Sequence, residues 1–547
     1  MRFSKRRDWK EAMEKTISTT TKKPAQKSVR TVAVIDIGAT AVRLQIAEIG
    51  ADGTVRPLES LQRAVRLGKD TFTSGVIQPS TTDECVAILQ SFRRTMKENG
   101  VTQPEQIRAV ATSAVREAEN RDAFLDRIYM TTQINVEAIE GAEENRLTYI
   151  AVHDLFQKDA KLRKKNVAIV EVGGGSTELI FVREGRITFS NTYRLGALRM
   201  RETLETYRAP AERSRALLGQ HIKRTVDQLH WNVSLRKVPY LIAVSGDARF
   251  AAALVHPKWD KQGVARINFK TFAELVDQIV PVSVDELVRK YHIPYQEAET
   301  IGPALLAYEH LARAFQVKQI LVAGASQRDG LLKEMAVRGA WTTEFAEQAV
   351  YSATLLAEKY GVNDGHSQYV SELCVKLFRE LQPEHGMDDR YELLLRIAGL
   401  LHEVGVFISD RGHHKHSMYI ILNSDLFGLS RNEITLIALV ARYHRRAMPR
   451  SYHTEYTSLD RDNRLVVSKL AAMLRLADCL DRKHMQDLKN ITFSREKDRF
   501  IITAHEVADL TLEQLAMRDK ANMFEQIFGT KVELRTALSA DEAITHG

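Results

Sequence analysis

Two glycine-rich segments of the sequence carry residue types that can hold phosphate. Residues 36–43 read DIGATAVR, and residues 171–178 read EVGGGSTE. Successive N–H groups in a glycine turn form a concavity that binds phosphate oxygens, and neighbouring hydroxyls add donors. The predicted phosphate contacts are the residues of these two turns: Gly38, Thr40, Gly173, Gly174, Gly175, Ser176 and Thr177.

A carboxylate precedes each glycine turn, Asp36 in the first segment and Glu171 in the second. Mg²⁺ prefers hard oxygen ligands and is usually held by one or two carboxylates, several waters and substrate phosphates. We therefore predict that Asp36 and Glu171 meet across a cleft and hold Mg²⁺. The alternative is that each carboxylate only caps the end of its strand.

Further acids and two arginines complete a set suited to phosphoanhydride hydrolysis. This reaction needs a group that activates or positions water in line with the breaking bond. The candidates are the pair Glu143 and Glu144 and the acid Glu178. One guanidinium group can contact two phosphate oxygens at once, which makes Arg43 and Arg116 candidate phosphate ligands. Ser245 and Gly246, at the glycine turn of LIAVSGDARFAAAL, are predicted to contact substrate.

The elements that position these residues are predicted by an internal repeat. VAVIDIGATAVRLQIAEI begins at Val32 and VAIVEVGGGSTELIFVRE begins at Val167. Each is a β-branched run, a carboxylate, a glycine turn and a second apolar run, which predicts a β-hairpin. Helical and strand-like segments alternate after each copy, which indicates two related α/β lobes over residues 30–150 and 151–338.

The remaining chain is predicted to form three further parts. Residues 1–29 are a basic arm that we interpret as solvated and disordered, the alternative being a nucleic-acid contact. Residues 339–489 are rich in helix patterns and histidine and form an all-α domain, and residues 490–547 form a small α+β cap. No stretch approaches the ~20 apolar residues of a membrane span. The three cysteines are scattered, which fits a reducing cytoplasm.

The net charge of +8 over 547 residues favours an acidic partner. The densest basic patch after the arm includes Arg445 and Arg446. It is either a solvated face or a track that guides a long polyanion. We expect no membrane partner and no specific nucleic-acid partner.

Several motifs, in order, resemble the exopolyphosphatase and guanosine pentaphosphate phosphatase family. They are DIGATAVRL, ATSAVREAEN, EGAEEN, EVGGGSTEL and AVSGDARFAAAL. The resemblance implies two actin-like, ribonuclease H-like lobes, and removal of terminal phosphate from polyphosphate or guanosine pentaphosphate with Mg²⁺. It also implies that Glu144 is the base, that Glu178 helps position metal and phosphate, and that the chain forms a homodimer.

The sequence departs from the family pattern in both hairpins. Ala39, Thr40 and Ala41 stand where the family has Ser, Asn and Ser, and Glu171 stands where it has Asp. These changes predict weaker side-chain contact with phosphate in the first hairpin. They also keep open a non-catalytic sensor of polyphosphate or alarmones. An actin-like ATPase or small-molecule kinase is the third alternative.

The helical segment resembles the HD-type domain of the long family form. His366, His402, Glu403 and Asp478 follow the order of HD metal ligands, with Glu403 replacing the usual aspartate. HD chemistry uses an acid beside a histidine to hold metal and activate water. The resemblance leaves two interpretations open, a scaffold without independent catalysis and a working metal site.

Overall fold

The computed structural model describes residues 29–206, 211–232, 238–261, 263–337, 343–362, 365–445, 447–482, 488, 490–505, 507 and 509–537. The predicted basic arm lies outside the described residues except for Val29. Arg446 of the predicted basic patch also lies outside them.

Fourteen strands form three sheets in the described chain. They are β1 Arg30–Ile37, β2 Ala41–Ile49, β3 Val55–Ala64, β4 Ile107–Ala111, β5 Val136–Ala138, β6 Asn166–Val172, β7 Thr177–Arg183, β8 Arg186–Tyr193, β9 Tyr240–Ala243, β10 Val264–Asn268, β11 Gln319–Ala323, β12 Ile491–Glu496, β13 Arg499–His505 and β14 Lys531–Ala537.

The first two sheets have the same topology, which confirms the predicted duplication. The five-stranded sheet has the order β3-β2-β1-β4-β5, and the six-stranded sheet has the order β10-β11-β9-β6-β7-β8. In each sheet, three strands that are consecutive in the sequence pair antiparallel. Parallel strands then pair along the other side of the first of these three, in the orders β1–β4–β5 and β6–β9–β11. The added strand β10 pairs antiparallel with β11 at the edge.

Helices cover these sheets and make up most of the region after residue 342. In the lobes they are Leu67–Ser74, Pro79–Glu98, Ser113–Arg116, Arg121–Thr132, Gly141–Lys158, Ala160–Arg163, Ala197–Thr206, Ala211–Asn232, Gly246–Val255, Phe269–Ile279, Val284–Tyr291, Tyr295–Ala314 and Gln327–Ala336. Beyond them are Thr343–Lys359, Gly365–Glu380, Gln382–His385, Asp389–Leu401, His413–Leu422, Arg431–Arg442, Thr454–Thr457, Arg461–Cys479, Thr511–Lys520 and Asn522–Phe528. Short 3₁₀ turns span Pro104–Gln106 and Val404–Phe407.

The two predicted hairpins have the same turn geometry. In the first, the Gly38 N–H donates to the carbonyl of Ala41 at 3.0 Å, and in the second the Gly173 N–H donates to the carbonyl of Ser176 at 2.9 Å. Each hydrogen bond spans three residues and fixes the register of the hairpin. Asp36 therefore lies opposite Arg43, and Glu171 lies opposite Glu178.

The helices Gly141–Lys158 and Gln327–Ala336 tie the two lobes together. They pack against each other so closely that a Cβ on Gly330 would lie 2.2 Å from the Leu147 carbonyl oxygen. Leu147 and Leu331 share a buried cluster with Val34 of the first sheet. The predicted boundary at residue 150 thus falls inside a helix, because that helix serves both lobes. Sequence periodicity does not reveal such sharing.

The helical region and the C-terminal sheet share one hydrophobic core. Buried residues from Leu373 to Leu476 belong to the same cluster as Phe500 and Phe524. The helices Thr511–Lys520 and Asn522–Phe528 pack on Arg461–Cys479. The small α+β unit is therefore fused to the helical domain. No helix among the described residues has the length and apolar character needed to cross a membrane.

Candidate active site

The two glycine hairpins line one cleft with a volume of about 580 Å³. Its walls also come from the starts of three helices, which follow β4, β9 and β11. The predicted site residues that line it are Asp36, Gly38, Thr40, Arg43, Glu144, Glu171, Gly173, Gly174, Ser176, Glu178, Ser245 and Gly246. The repeat therefore brings together residues that are far apart in the sequence.

Four predicted carboxylates face this cleft, and Asp247 and Glu297 also line it. Asp36 and Glu171 are the penultimate residues of equivalent strands, Glu178 is the second residue of β7, and Glu144 lies in the first turn of the helix Gly141–Lys158. Only 4% of Glu144 and 3% of Glu178 are exposed. Burial of several negative charges in one place is costly unless cations neutralise them.

Burial and mutual repulsion raise the pKa values of three of these acids. Burial raises the pKa of Glu144, although the charge of Arg116 opposes this. Burial raises the pKa of Glu171 to about 7; a hydrogen bond from Thr148 opposes the rise, and the charges of Glu144 and Asp36 add to it. Burial and the charges of Glu144 and Glu171 raise the pKa of Glu178 well above its usual value. Burial thus favours the protonated forms of these three acids.

The predicted arginines reach these acids. Arg43 Nη1 lies 3.5 Å from Asp36 Oδ2. Arg116 is ion-paired with Glu144 and donates to the backbone oxygen of Ile139 at 2.6 Å, but it does not itself line the cleft. Arg43 Nε also donates to Gln62 Oε1 at 3.0 Å, and Gln62 in turn donates to Glu297 on the second lobe.

Two further arginines at the cleft were not predicted from the sequence. Arg328 Nη1 lies 3.7 Å from Asp36 Oδ2, and Arg249 donates to the Ala325 carbonyl at 3.2 Å. Burial lowers the pKa of both guanidiniums. Each follows a strand and a short turn at the start of a helix, in SGDAR and SQRDG. This position could have indicated both arginines from the sequence, because the carboxyl ends of parallel strands meet at one edge of a sheet.

The hairpin turns present N–H groups, although fewer than the sequence suggested. The N–H groups of Gly38 and Gly173 are used within the hairpins. The carbonyls of Ala39 and Thr40 accept bonds from Gly68 and Val65, and the Gly174 carbonyl accepts from Arg199. These bonds hold the turn carbonyls on neighbouring elements, so the turns do not present those oxygens to an anion.

Several predicted residues have other roles in the structure. Gly175 does not line the cleft; it allows close packing, since a Cβ there would lie 2.3 Å from Ser113 Oγ. The Thr177 hydroxyl donates to the Leu195 carbonyl and so stabilises the hairpin. Ser245 Oγ accepts from the Ala248 N–H at 3.0 Å and caps the helix that begins at Gly246.

Glu143 does not line the cleft, in contrast to the prediction that it takes part in catalysis. Arg146 donates to both of its carboxylate oxygens at 2.7 Å. Burial raises the pKa of Glu143, but the hydrogen bonds and charge of Arg146 outweigh this and lower it. Arg445 is exposed after the helix Arg431–Arg442 and does not line the cleft either. Its proposed role as a track stays a prediction.

The second predicted metal set lies in the helical domain. His366, His402 and Asp478 come together, with one ligand atom from each within 4.8 Å of the others. Glu403 is not part of this cluster; it is partly exposed and precedes the 3₁₀ turn Val404–Phe407. The prediction of Glu403 as a ligand is therefore not supported by its position.

Solved structures share the fold of the lobes. The chain superimposes on an exopolyphosphatase from Cytophaga hutchinsonii ATCC 33406 with a TM-score of 0.51 and 24% sequence identity, covering 56% of this chain and 98% of that one. This similarity concerns the fold. Two actin-like lobes around an acidic, arginine-lined cleft define the class of protein by its fold.

The chain belongs to the Ppx/GppA phosphatase family, whose model matches residues 45–338. The model of Ppx/GppA phosphatase domain III matches residues 350–520. A guanosine-5'-triphosphate,3'-diphosphate pyrophosphatase from Photobacterium profundum is 22% identical over 522 residues, covering 89% of this chain and 95% of that protein. The protein of the same name from Pseudoalteromonas translucida is 24% identical over 483 residues, covering 85% and 89%.

Proposed function

We propose that this phosphatase removes terminal phosphate from inorganic polyphosphate, guanosine pentaphosphate or both, by Mg²⁺-assisted attack of water in the interlobe cleft. The observation that supports this most is the convergence of Asp36, Glu144, Glu171 and Glu178 beside half-buried arginines. The similar proteins are named guanosine-5'-triphosphate,3'-diphosphate pyrophosphatase and exopolyphosphatase, and both candidate substrates contain a terminal phosphoanhydride.

The carboxylates of the cleft fit Mg²⁺. Among the described residues, no side chain or backbone group hydrogen-bonds to the buried Oε1 of Glu178. Burial and the neighbouring carboxylates raise the pKa of Glu171, and a bound cation would favour its charged form. Asp36 and Glu171 would hold Mg²⁺ with help from Glu178, in keeping with its preference for oxygen ligands. Bound Mg²⁺ would neutralise phosphate charge and lower the barrier to attack.

Glu144 is the proposed base. Burial raises its pKa, which makes the carboxylate a stronger base toward a water proton. Arg116 holds the Glu144 carboxylate in place and also stabilises its charged form. The guanidiniums of Arg43, Arg249 and Arg328 would bind the phosphate oxygens of the substrate. Phosphates held in this way would present the terminal anhydride to the attacking water.

Phosphate release tests this function. The purified chain is incubated with long polyphosphate, guanosine pentaphosphate or ATP, each with and without Mg²⁺. We expect Mg²⁺-dependent release from at least one of the first two substrates. Turnover of ATP alone would instead indicate an actin-like ATPase. Tight binding of polyphosphate or guanosine pentaphosphate without any release would indicate a sensor.

A further inference from the structure

We propose that His366, His402 and Asp478 form a buried site for one divalent transition-metal ion, and that Lys520 of the C-terminal unit orients its carboxylate. The site lies in the helical domain, apart from the phosphate cleft, and does not depend on the proposed function. His366 and His402 are fully buried, and 5% of Asp478 is exposed.

Hydrogen bonds to the other ring nitrogens direct both histidines toward the carboxylate. His402 Nδ1 lies 2.7 Å from the Gly399 carbonyl oxygen, which can only accept, so Nδ1 carries the proton. His366 Nδ1 lies 2.8 Å from Asp481 Oδ2. In the neutral ring, Nε2 then offers a lone pair. Metal-binding histidines typically donate their second nitrogen to a carbonyl or carboxylate in this way.

The ligand atoms are spaced as a bound ion requires. Asp478 Oδ1 lies 3.7 Å from His366 Nε2 and 4.0 Å from His402 Nε2. Ligands about 2.0–2.2 Å from a tetrahedral ion lie roughly 3.3–3.6 Å apart, so small shifts suffice. Among the described residues, His402 Nε2 has no hydrogen-bond partner although it is buried. An ion would satisfy this nitrogen.

Lys520 leaves the inner oxygen of Asp478 available. Its ammonium is ion-paired with Oδ2, whereas the histidines face Oδ1. The ion pair therefore holds the Asp478 carboxylate in one orientation, with Oδ1 toward the two histidines.

The nitrogen ligands indicate which ions the site would take. Imidazole suits Zn²⁺, Co²⁺, Fe²⁺ or Ni²⁺, whereas Mg²⁺ prefers oxygen. A second histidine pair adjoins the cluster: His413 Nε2 and His444 Nε2 lie 3.2 Å apart, and both Nδ1 atoms face backbone carbonyls. The His402 and His444 ring centroids are 5.0 Å apart. His413 and His444 thus place further nitrogen ligand atoms beside the proposed ion.

Co²⁺ binding to the tag-free, full-length chain tests the site. Excess Mg²⁺ is present so that the carboxylate cleft is occupied by its preferred ion. After dialysis, we expect about one equivalent of bound Co²⁺ with a visible absorption band typical of nitrogen ligands. His402→Ala and Asp478→Asn should lose both the metal and the band. His221→Ala, which removes an exposed histidine from lobe II, should retain them.

Thermal unfolding and a Lys520 variant show whether a loss of bound metal results from the missing ligand or from misfolding. Added Co²⁺ should raise the Tm of the wild type by about 5 °C and leave that of His402→Ala unchanged. Lys520→Met keeps every ligand and should bind Co²⁺ with an affinity about 10–100 times lower. If wild type retains no Co²⁺ whereas Lys520→Met binds it, the ammonium itself fills the cation position and the proposal is wrong. It is equally wrong if wild type and His402→Ala retain the same amount.

Discussion

The two hairpins share a topology and a turn, yet they differ in the residue that faces the leading carboxylate. In the first, Asp36 faces Arg43, and Arg328 adds a second guanidinium. In the second, Glu171 faces Glu178, and burial with mutual repulsion raises the pKa of both acids. The first hairpin is thus neutralised by the arginines around it. A bound cation would neutralise the facing acids of the second, so we infer that the first binds phosphate and the second serves the chemistry.

Among the variants that test this difference between the hairpins, replacement of Glu178 should have the largest effect on phosphate release. Glu178→Gln keeps the shape but removes a charge whose Oε1 has no partner among the described residues. We expect kcat for phosphate release to fall about 10³-fold with little change in KM, because groups that position protons or water typically contribute about 10²–10⁴-fold. Glu184→Gln, at the exposed far end of the same hairpin, should behave as wild type. Equal rates for both variants would refute a chemical role for Glu178.

Replacement of Arg43 should affect binding instead. Arg43→Gln removes a guanidinium from the first hairpin, and we expect KM to rise about 10- to 100-fold while kcat changes less than about threefold. The exposed Arg56, paired with Glu48, offers the control Arg56→Gln, which should leave both constants unchanged. A fall in kcat as large as the rise in KM would mean that the first hairpin also stabilises the transition state.

Replacement of Glu171 should separate stability from activity. The folded-state pKa of about 7 exceeds the ordinary glutamate value of 4.5, so the folded protein holds this proton more tightly. The resulting stability is complete below about pH 4.5 and is lost as pH rises through 7. Without Mg²⁺, Glu171→Gln should therefore raise Tm by about 3 °C at about pH 8 and by much less at about pH 5. The same gain at both pH values would contradict the assigned pKa. Mg²⁺ should stabilise the wild type and have a smaller effect on the variant.

Restoring the family serine in the first hairpin should have the smallest effect. Ala39 is packed between the lobes, where a Cβ on Gly68 or Gly174 would lie 2.7 or 2.8 Å from its own Cβ. Ala39→Ser would bury a hydroxyl at this contact. We expect a stability loss of about 1 kcal/mol and less than about a threefold change in kcat/KM. A gain of about tenfold in kcat/KM would show instead that the missing hydroxyl limits phosphate binding.

The duplicated hairpins and their acids are predictable from the sequence because local patterns determine them. Alternating apolar residues around a glycine turn fix the register, which sets Asp36 and Glu171 in equivalent places. The strand, turn and helix at LIAVSGDARFAAAL were likewise predicted correctly. Such segments need no knowledge of distant contacts.

Features that depend on packing between distant segments were not predictable. Glu143 and Glu144 are neighbours on one helix and point about 100° apart. Only the position of Arg146 shows which of them turns away from the cleft. Arg328 reaches Asp36 from a distant part of the chain, and Lys520 reaches Asp478 from a different structural unit. Sequence spacing carries no information on these contacts.

The adjacent pair Glu143 and Glu144 offers the most direct test of the central claim, that a buried carboxylate of the cleft activates water. Phosphate release is measured for Glu144→Gln and Glu143→Gln on the same substrate with Mg²⁺. We predict that Glu144→Gln lowers kcat about 10³-fold while substrate binding is retained, and that Glu143→Gln keeps a kcat near that of the wild type. Wild-type turnover in Glu144→Gln would contradict the account.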